Sequence, residues 1–359
     1  MRIAIIHYWL VTPGGGEKVL RTLCEMYPEA DIYTHCLNPQ AIPDGLKSHN
    51  IRTTFIGKLP FSTKLYKLYL PLMPLALDLL DLSDYDLVIS CESGPTKGVI
   101  TQVDCKHICY CHTPMRYLWE SKDIYLKSSN IILRFFMQLF FHYLRFWDVL
   151  SSQRVDTFVA NSNAVAQRIR RWWGKESTVV HPPVDTNFFR SFKQEEPQDY
   201  YLFAGRLVKY KRADLAIKAC EKLHRKLVVV GEGPEMDTLK AMAGPDINFR
   251  GRVDRDELAR LYSGCKALLF PGEEDFGIVP VEVMATGRPV IAYQKGGALD
   301  YVTEDTGLFF DNQNPDSLAD AIRYFESIQS DFNADKISNH TEKFSKALFK
   351  QKMHDIINA

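Results

Sequence analysis

Short apolar strands alternate with helical segments along nearly the whole chain of 359 residues, and no other feature of the sequence constrains the fold as strongly. The predicted strands are rich in β-branched residues and show little polar alternation, which is typical of parallel strands covered on both faces. Repeated strand-helix-strand units need right-handed crossovers and build doubly wound sheets. The sequence therefore predicts an α/β protein.

The predicted elements form two series. In the first series the strands are RIAIIHYW, DLVISCE, HICYCH, TFVANS and TVVHPP, and the segment GGGEKVLRTLCEMY opens a helix after the first strand. In the second series the strands are YYLFAGR, KLVVVGEG, INFRGR, ALLFPG, PVIAY and GLFF. Helices are predicted among these later strands at 212–223, 234–242, 254–263, 280–286 and 315–325.

The two series predict two doubly wound, Rossmann-like domains, because the chain is about twice as long as a typical single domain. We place them at residues 1–184 and 185–340, with a linker near 185–199, and we expect a C-terminal helix, 341–359, to join the first domain. Open α/β sheets bind ligands beyond the carboxyl ends of their strands. The domains are therefore expected to face each other across a ligand-binding cleft.

Composition excludes several classes of function. Lys and Arg together number 44, as do Asp and Glu, so the net charge does not indicate a nucleic-acid partner. The first apolar run is short and lacks a small-residue cleavage site, and no run reaches the ~18 apolar residues of a spanning helix. We expect neither a signal peptide nor a membrane span. Eight cysteines without a signal fit a reducing cytosol, which predicts a cytoplasmic protein.

Two glycine-containing loops are candidate ligand sites. Gly14, Gly15 and Gly16 follow the first predicted strand, where glycines allow a close backbone approach and a helix N-terminus favours an anion. Val19 stands where a dinucleotide fingerprint needs its third glycine, so the loop predicts either phosphate or sugar contact or merely a tight turn. Glu232, in GEGPE, likewise lies in a ligand-facing turn or simply a turn.

Charged residues also follow predicted strands. Arg206 ends a strand and Lys211 begins the next helix, and two cations there suit a diphosphate, although solvated surface charge is the alternative. Glu274 lies in a loop after another strand, and Gly277 allows a bend before a helix that Pro280 is expected to start. Glu282 would then lie in the first turn of that helix. Free N–H groups there suit phosphate or sugar oxygens, and carboxylates suit hydroxyl donors, unless Glu282 only complements the helix dipole.

The string EDFGIVPVE resembles the E-x7-E signature of retaining glycosyltransferases of family 4, which have the two-domain GT-B fold. Further segments look like blocks of that family in its order: GGGEKV, HTPMRYLW, NSNAVAQRI, HPPVDTNFF, AGRLVKYKR, GEGPE, FRGRV and MATGRPVIA. The resemblance covers essentially the whole chain and is closest to bacterial mannosyltransferases of cell-surface polysaccharide synthesis, such as lipopolysaccharide O-antigen. It implies transfer of a hexose, mannose from GDP-mannose, to a lipid-linked or oligosaccharide acceptor at the cytoplasmic face of the inner membrane.

The resemblance also implies residue roles. Glu274 would bind hydroxyls of the transferred sugar, His112 would lie over that sugar, and Arg206 with Lys211 would neutralise the diphosphate. Glu282 would hold the ribose. The remaining donor-binding residues would be Gly15, Gly16, Glu232, Val253, Phe276, Gly277, Ile278 and Val279. Arg116 and Tyr117 would lie on the acceptor side.

Three patterns compete with this interpretation. The stretch CKHICYCH, 105–112, could bind a metal, but its spacing is no standard zinc pattern and cysteine is common in cores. The D-x-D matches at 84–86 and 254–256 resemble metal-binding motifs of the other glycosyltransferase fold, but each precedes an element, which predicts a strand lead-in and a helix cap. No metal or other cofactor is expected. The aromatic-basic stretches 47–75 and 131–150 are either packed helices or a surface that contacts an anionic membrane, and we expect peripheral membrane contact.

Two other functions are compatible with the same two-domain architecture. A nucleotide-sugar epimerase would need an acid-base pair and no acceptor, and the E-x7-E string argues against it. A non-enzymatic nucleotide-sugar-binding protein is disfavoured because Glu274, Lys211 and His112 are all present.

Overall fold

The computed structural model describes residues 1–11, 14–120, 131–194 and 196–359. The chain divides into two compact units, residues Met1–His181 together with Lys350–Ala359, and residues Pro182–Phe349. The division follows His181, whereas the boundary expected from the sequence follows residue 184. The helix Lys346–Asn358 crosses the second division, so only residues from Lys350 onward are part of the first unit.

The first unit is built on a parallel sheet in the order β3-β2-β1-β4-β5-β6-β7. Its strands are β1 Ile3–His7, β2 Asp31–Thr34, β3 Ile51–Thr53, β4 Leu87–Glu92, β5 Lys106–Cys111, β6 Thr157–Ala160 and β7 Thr178–Val179. The five strands predicted for this series are confirmed. The sequence pattern missed β2 and β3 because each has only four or three residues, some of them polar.

The helices of the first unit cover the sheet with apolar faces. They are α1 Gly16–Met26, α2 Ser62–Leu65, α3 Met73–Asp78, α4 Arg116–Trp119, α5 Ile131–Ser151 and α6 Asn163–Trp173. Local signals set their ends: the Ser162 side chain accepts a hydrogen bond from the Val165 N–H at the start of α6, and Gly174 ends that helix at φ 66°.

The second unit has a parallel sheet in the order β10-β9-β8-β11-β12-β13. All six predicted strands are confirmed: β8 Tyr201–Ala204, β9 Leu227–Val230, β10 Ile247–Gly251, β11 Leu268–Phe270, β12 Val290–Tyr293 and β13 Gly307–Phe310. The strand order reverses between β8 and β11, which are neighbours although two strands separate them along the chain. In such sheets this reversal point is where ligands bind.

The helices of the second unit include all five that the sequence predicted. They are α7 Thr186–Arg190, α8 Ala213–Leu223, α9 Met236–Met242, α10 Arg255–Gly264, α11 Ile278–Ala285, α12 Ala298–Tyr301, α13 Pro315–Ile328 and α14 Ala334–His340, followed by α15 Lys346–Asn358. Helix α11 begins at Ile278 rather than at Pro280.

The predicted linker is wrong in its first half. Residues Thr186–Arg190 form α7, and Phe189 is buried against the ring of Tyr262 in the core of the second unit. The polar composition around this segment concealed two adjacent phenylalanines that need burial. Within the described residues, no helix combines the length and the apolar character needed to cross a bilayer.

Candidate active site

Lys211 and Glu274 form an ion pair at the reversal point of the second sheet. Lys211 lies in the loop after β8 and Glu274 in the loop after β11, and the Lys211 Nζ is 2.9 Å from Glu274 Oε1. Both side chains are about five-sixths buried, with exposures of 16% and 18%. Burial lowers the pKa of the Lys211 ammonium, but the facing Glu274 carboxylate outweighs burial, so the net effect is a raised pKa. The structure thus brings a fixed cation and a fixed anion together where a ligand is expected.

Arg206 lies in the loop that follows β8, which contacts the loop that follows β9. The N–H of Leu207 donates to the Glu232 carbonyl at 2.9 Å, and a Cβ on Gly231 would lie 2.0 Å from the Gly205 oxygen. Glycine is therefore required at position 231 by contact between the two loops, whatever ligand binds there. The side chains of Arg206 and Glu232 are exposed, and the Arg206 guanidinium forms no ion pair or hydrogen bond within the part of the chain that the structure describes.

The loop that carries Glu274 is held by two glycines that sequence reasoning missed. The N–H of Gly297 donates to the Glu274 carbonyl at 2.9 Å, and a Cβ on Gly296 would lie 2.3 Å from that oxygen. Gly277, at φ 84°, leads into α11, and a Cβ there would lie 2.7 Å from the ring of Phe270. The Gly-Gly pair directly after β12 was the available sequence signal. Gly277 is the N-cap residue of α11 and provides no side-chain cap for the first N–H groups of that helix. The predicted role of 276–279 in binding sugar or phosphate stays a prediction.

Glu282 is placed differently from the prediction. Because α11 begins at Ile278, Glu282 is its fifth residue, beyond the first turn, and it is only 4% exposed. The Tyr262 hydroxyl donates to Glu282 Oε2 at 3.3 Å, and burial together with this carboxylate raises the pKa of Tyr262. The alternative that Glu282 merely complements the helix dipole is therefore wrong. Val253 follows β10 and packs, half-buried, against the core that contains Tyr262.

In the first unit, Gly16 lies against two polar side chains. A Cβ on Gly16 would be 2.2 Å from the Tyr8 hydroxyl and 3.4 Å from His112 Nε2. Gly15 is the N-cap of α1 and Gly16 its first residue, while His112 directly follows β5. Burial lowers the pKa of His112 to about 4, so its imidazole is neutral near pH 7. Gly15, Gly16 and His112 thus meet at the carboxyl edge of the first sheet.

A buried charged network beside His112 was not predicted. Lys97, fully buried, contacts Asp148 and lies 3.3 Å from Glu92 Oε1, and its ammonium lies 4.2 Å from the ring centroid of Trp173. Asp148 also accepts from the indole N–H groups of Trp119 and Trp173. The Glu92 carbonyl accepts the His112 N–H at 2.8 Å, so the network fixes the chain that carries His112. Glu92 and Lys97 are five positions apart, but Asp148 is distant in sequence, so no local pattern reveals the triad.

Arg116 and Tyr117 lie on the short helix α4. The Arg116 guanidinium donates to Glu120 Oε2 at 3.0 Å, and Glu120 Oε1 also accepts from Arg168 at 3.0 Å. The Tyr117 hydroxyl donates to the sulfur of Met115. Their predicted role at the acceptor side stays a prediction.

The competing metal patterns have structural explanations. The Asp254 side chain accepts from the Glu257 N–H at 2.8 Å and caps α10, and Asp84 pairs with Arg2 at 2.8 Å in front of β4, so the predicted cap and strand lead-in are confirmed. Cys109 and Cys111 pack in an apolar cluster with Phe158. In the described ranges, no three His, Cys, Asp or Glu side chains are grouped as metal ligands would be.

Solved structures share this two-unit arrangement of parallel sheets. The Anabaena protein HepE, crystallised in complex with UDP, matches with a TM-score of 0.70 at 17% identity, and the match covers 100% of each chain. The fold is GT-B.

Family models match both halves of the chain. Residues 13–188 match Glycosyltransferase Family 4, and residues 184–346 match Glycosyl transferases group 1. The chain therefore carries both of these glycosyltransferase domains.

Curated relatives match over part of their length. An uncharacterized glycosyltransferase of Methanocaldococcus jannaschii is 33% identical over 37% of this chain and 37% of its own length. A GDP-mannose-dependent alpha-(1-6)-phosphatidylinositol dimannoside mannosyltransferase of Mycobacterium tuberculosis is 28% identical over 50% of this chain and 51% of its own. The chain thus spans about two-fifths to one half of these relatives.

Proposed function

We propose that the protein is a retaining glycosyltransferase that transfers a hexose from a nucleoside diphosphate sugar to an acceptor hydroxyl. The observation that carries the proposal is the Lys211–Glu274 pair, 2.9 Å apart at the reversal point of the second sheet. A cation beside a carboxylate that can accept hydrogen bonds from hydroxyl groups suits a ligand in which a phosphate adjoins a polyol. The ammonium has three N–H donors, so Lys211 can bind a phosphate oxygen while it keeps its contact with Glu274.

The chemical step breaks the bond between the anomeric carbon and the diphosphate. Lys211, the exposed Arg206 and the N–H groups at the start of α11 stabilise the negative charge that develops on the leaving diphosphate. The acceptor oxygen forms its bond on the same face of the sugar, and its proton passes to an oxygen of the departing diphosphate. Configuration is thereby retained. Because these fixed cations serve the leaving group, the reaction proceeds without a metal ion.

The donor and the acceptor are the finer part of the proposal. GDP-mannose is favoured as donor because the mycobacterial relative is a GDP-mannose-dependent mannosyltransferase, whereas HepE was crystallised with UDP, so the nucleotide must be tested. We propose a lipid-linked saccharide of a bacterial surface glycan as acceptor, at the cytoplasmic face of the inner membrane. A thermal-shift screen of GDP- and UDP-sugars, followed by product analysis with the best binder and excess EDTA, tests the proposed donor, the proposed acceptor and the independence from metal ions. A protein that no nucleotide sugar stabilises, or one that is inactive until Mg²⁺ is returned, would contradict them.

Two apolar stripes on the first unit support contact with a membrane surface. One stripe, from 61 to 79, and another on α5, from 139 to 150, expose large apolar side chains at intervals of three or four residues. Both segments also contribute buried side chains, among them Leu77, Phe141 and Leu144, to one core. The exposed residues are Phe61, Leu65, Leu68, Leu72, Leu75 and Leu79, and Leu139, Tyr143, Phe146 and Leu150. No acidic residue occurs between Gly45 and Leu77, whereas Lys58, Lys64 and Lys67 do. Basic residues beside an apolar stripe complement an anionic lipid surface.

Vesicle flotation tests this contact. The double variant Phe61→Ser/Leu68→Ser should float at least tenfold less with phosphatidylglycerol vesicles, because both side chains are more than two-thirds exposed, at 73% and 71%. Leu299→Ser, an exposed leucine of the second unit, is the matched control. Equal flotation of all three proteins, or equal binding to neutral phosphatidylcholine, would argue against an anionic membrane surface as the partner.

A further inference from the structure

Several buried polar atoms at the carboxyl edge of the first sheet have no hydrogen-bond partner among the residues that the structure describes. His7, the last residue of β1, is fully buried, and neither of its ring nitrogens meets a hydrogen-bonding atom within the described residues. The same is true of Glu17 Oε2 and of His112 Nε2. A buried polar group without a hydrogen-bond partner destabilises the fold. The catalytic steps proposed above make no use of His7 or Glu17, so a different contact must explain them.

These groups lie in one neighbourhood around the glycine loop. Gly16 is in contact distance of Tyr8 and His112, and a Cβ on Gly14 would be 3.0 Å from Glu17 Oε2. The ring of Tyr8 lies 4.1 Å from that of His7 and 6.1 Å from that of His112, measured between centroids. Residues from β1, from the start of α1 and from the end of β5 therefore present polar atoms to a common region of the first unit.

The cluster of His7, Tyr8, Glu17 and His112 contains no lysine or arginine, and its two imidazoles carry no charge near pH 7. Burial lowers the pKa of His7 and of His112, so both imidazoles are uncharged near pH 7. Burial also raises the pKa of the Glu17 carboxyl, against the effect of the N–H groups of Glu17 and Gly14. Such a set does not suit a phosphate. A neutral imidazole offers one donor and one acceptor, a carboxyl accepts and a phenol does both, which is the complement of sugar hydroxyl groups.

We propose that His7, Tyr8, Glu17 and His112 bind the hydroxyl groups of a saccharide, with His7 and Glu17 as its buried contacts. This inference rests on the proposed function, which supplies two saccharides with the same hydroxyl chemistry, the acceptor and the transferred hexose. The unpartnered nitrogens of His7 and the free oxygen of Glu17 are then satisfied by the ligand.

Ligand-observed saturation-transfer NMR on the full-length chain tests the proposal, with methyl α-D-mannopyranoside, methyl α-D-glucopyranoside and methyl α-D-galactopyranoside as probes. At least one probe should bind the wild-type protein and the control Glu29→Gln, an exposed glutamate of the same unit. In Glu17→Gln and in His7→Phe binding should be at least tenfold weaker if the acceptor occupies the site. If the transferred hexose occupies it, the same variants should instead lose affinity for GDP-mannose while affinity for GDP is kept.

Stability and nucleotide binding separate the possible failures. Glu17 Oε2 has no hydrogen-bond partner in the described part of the chain, so Glu17→Gln should melt no lower than the wild-type protein, whereas a purely structural carboxyl would lower the melting temperature. Folded Glu17→Gln and His7→Phe proteins that bind every probe and GDP-mannose like the wild-type protein would overturn this inference and leave the proposed function intact. A wild-type protein that binds neither GDP nor UDP nor their sugars would instead overturn the proposed function.

Discussion

The carboxyl edges of the two sheets differ in the charge of their side chains. In the second unit, the ion pair with Glu274 raises the pKa of the Lys211 ammonium against the effect of burial, and Arg206 adds an exposed cation. In the first unit, His7 and His112 are neutral because burial without a counter-charge disfavours the protonated ring. The same α/β architecture therefore builds a charged site suited to a diphosphate and a neutral polar site suited to hydroxyl groups.

The largest expected difference between the two units is in their stability in acid. Burial lowers the pKa of His35, His107 and His112 from 6.5 to about 4 each, and all three lie in the first unit. The unfolded chain binds these protons near pH 6.5 and the folded chain only near pH 4, so stability is lost as the pH falls through this window. Each histidine then costs on the order of 2–4 kcal/mol.

Tryptophan fluorescence can follow this loss because all five tryptophans, Trp9, Trp119, Trp147, Trp172 and Trp173, belong to the first unit. Between pH 6.5 and 4 the urea midpoint seen by fluorescence should fall, while circular dichroism retains a second, later transition from the other unit. One transition shared by both probes at every pH would show that the histidines do not distinguish the units.

Removing the fixed cation should have the next largest effect. Lys211→Met should lower kcat/KM by an amount equivalent to about 2–4 kcal/mol, by analogy with lost donors to a developing anion, and Arg206→Ala should act in the same direction. Lys209→Met, an exposed lysine of the same turn, is the control and should stay near the wild-type rate. Near-normal turnover in both Lys211→Met and Arg206→Ala would show that the diphosphate does not bind at this site.

Replacement of Glu274 and replacement of Glu282 should change different kinetic parameters. Glu274→Gln should lower kcat by about 10–100-fold while the nucleoside diphosphate still binds, because its partner Lys211 remains to hold the phosphates. Glu282 accepts a hydrogen bond from Tyr262, and Glu282→Gln should raise the donor KM more than it lowers kcat. Steady-state kinetics and calorimetry of nucleotide binding decide the matter, and the reverse assignment of effects would show that the roles are exchanged.

The smallest effect concerns the glycine loop. Gly16→Ala should destabilise the first unit by about 1–3 kcal/mol, because the added methyl group would lie 2.2 Å from the Tyr8 hydroxyl. Adding Tyr8→Phe leaves the nearest ring carbon at 3.2 Å and should restore much of the loss. Chemical unfolding of the two single variants and the double variant measures this coupling. Additive losses would mean that the hydroxyl is not what excludes a side chain at position 16.

Two contacts at the site, made by Gly231 and by Tyr262, could not be predicted from the sequence. The two glycines of GEGPE predict a ligand-facing or ordinary turn, and the structure shows that Gly231 is required by the carbonyl of Gly205 in a neighbouring loop. Tyr262, which donates to Glu282, precedes it by twenty positions on another helix. Neither contact has a local sequence signature, because both depend on which loops and helices the sheet order makes adjacent.

The sequence by itself determined the two doubly wound sheets, because buried parallel strands need uninterrupted apolar residues and their helices need caps such as Asp254. It also located charged residues and glycines after strands. Only the tertiary structure decided that Lys211 meets Glu274, that Lys97 is buried with Glu92 and Asp148, and that the ring nitrogens of His7 and Glu17 Oε2 have no hydrogen-bond partner within the described chain. The physical reason is that pairing and desolvation depend on distances between residues far apart in sequence, which are set when the strand order of each sheet is fixed.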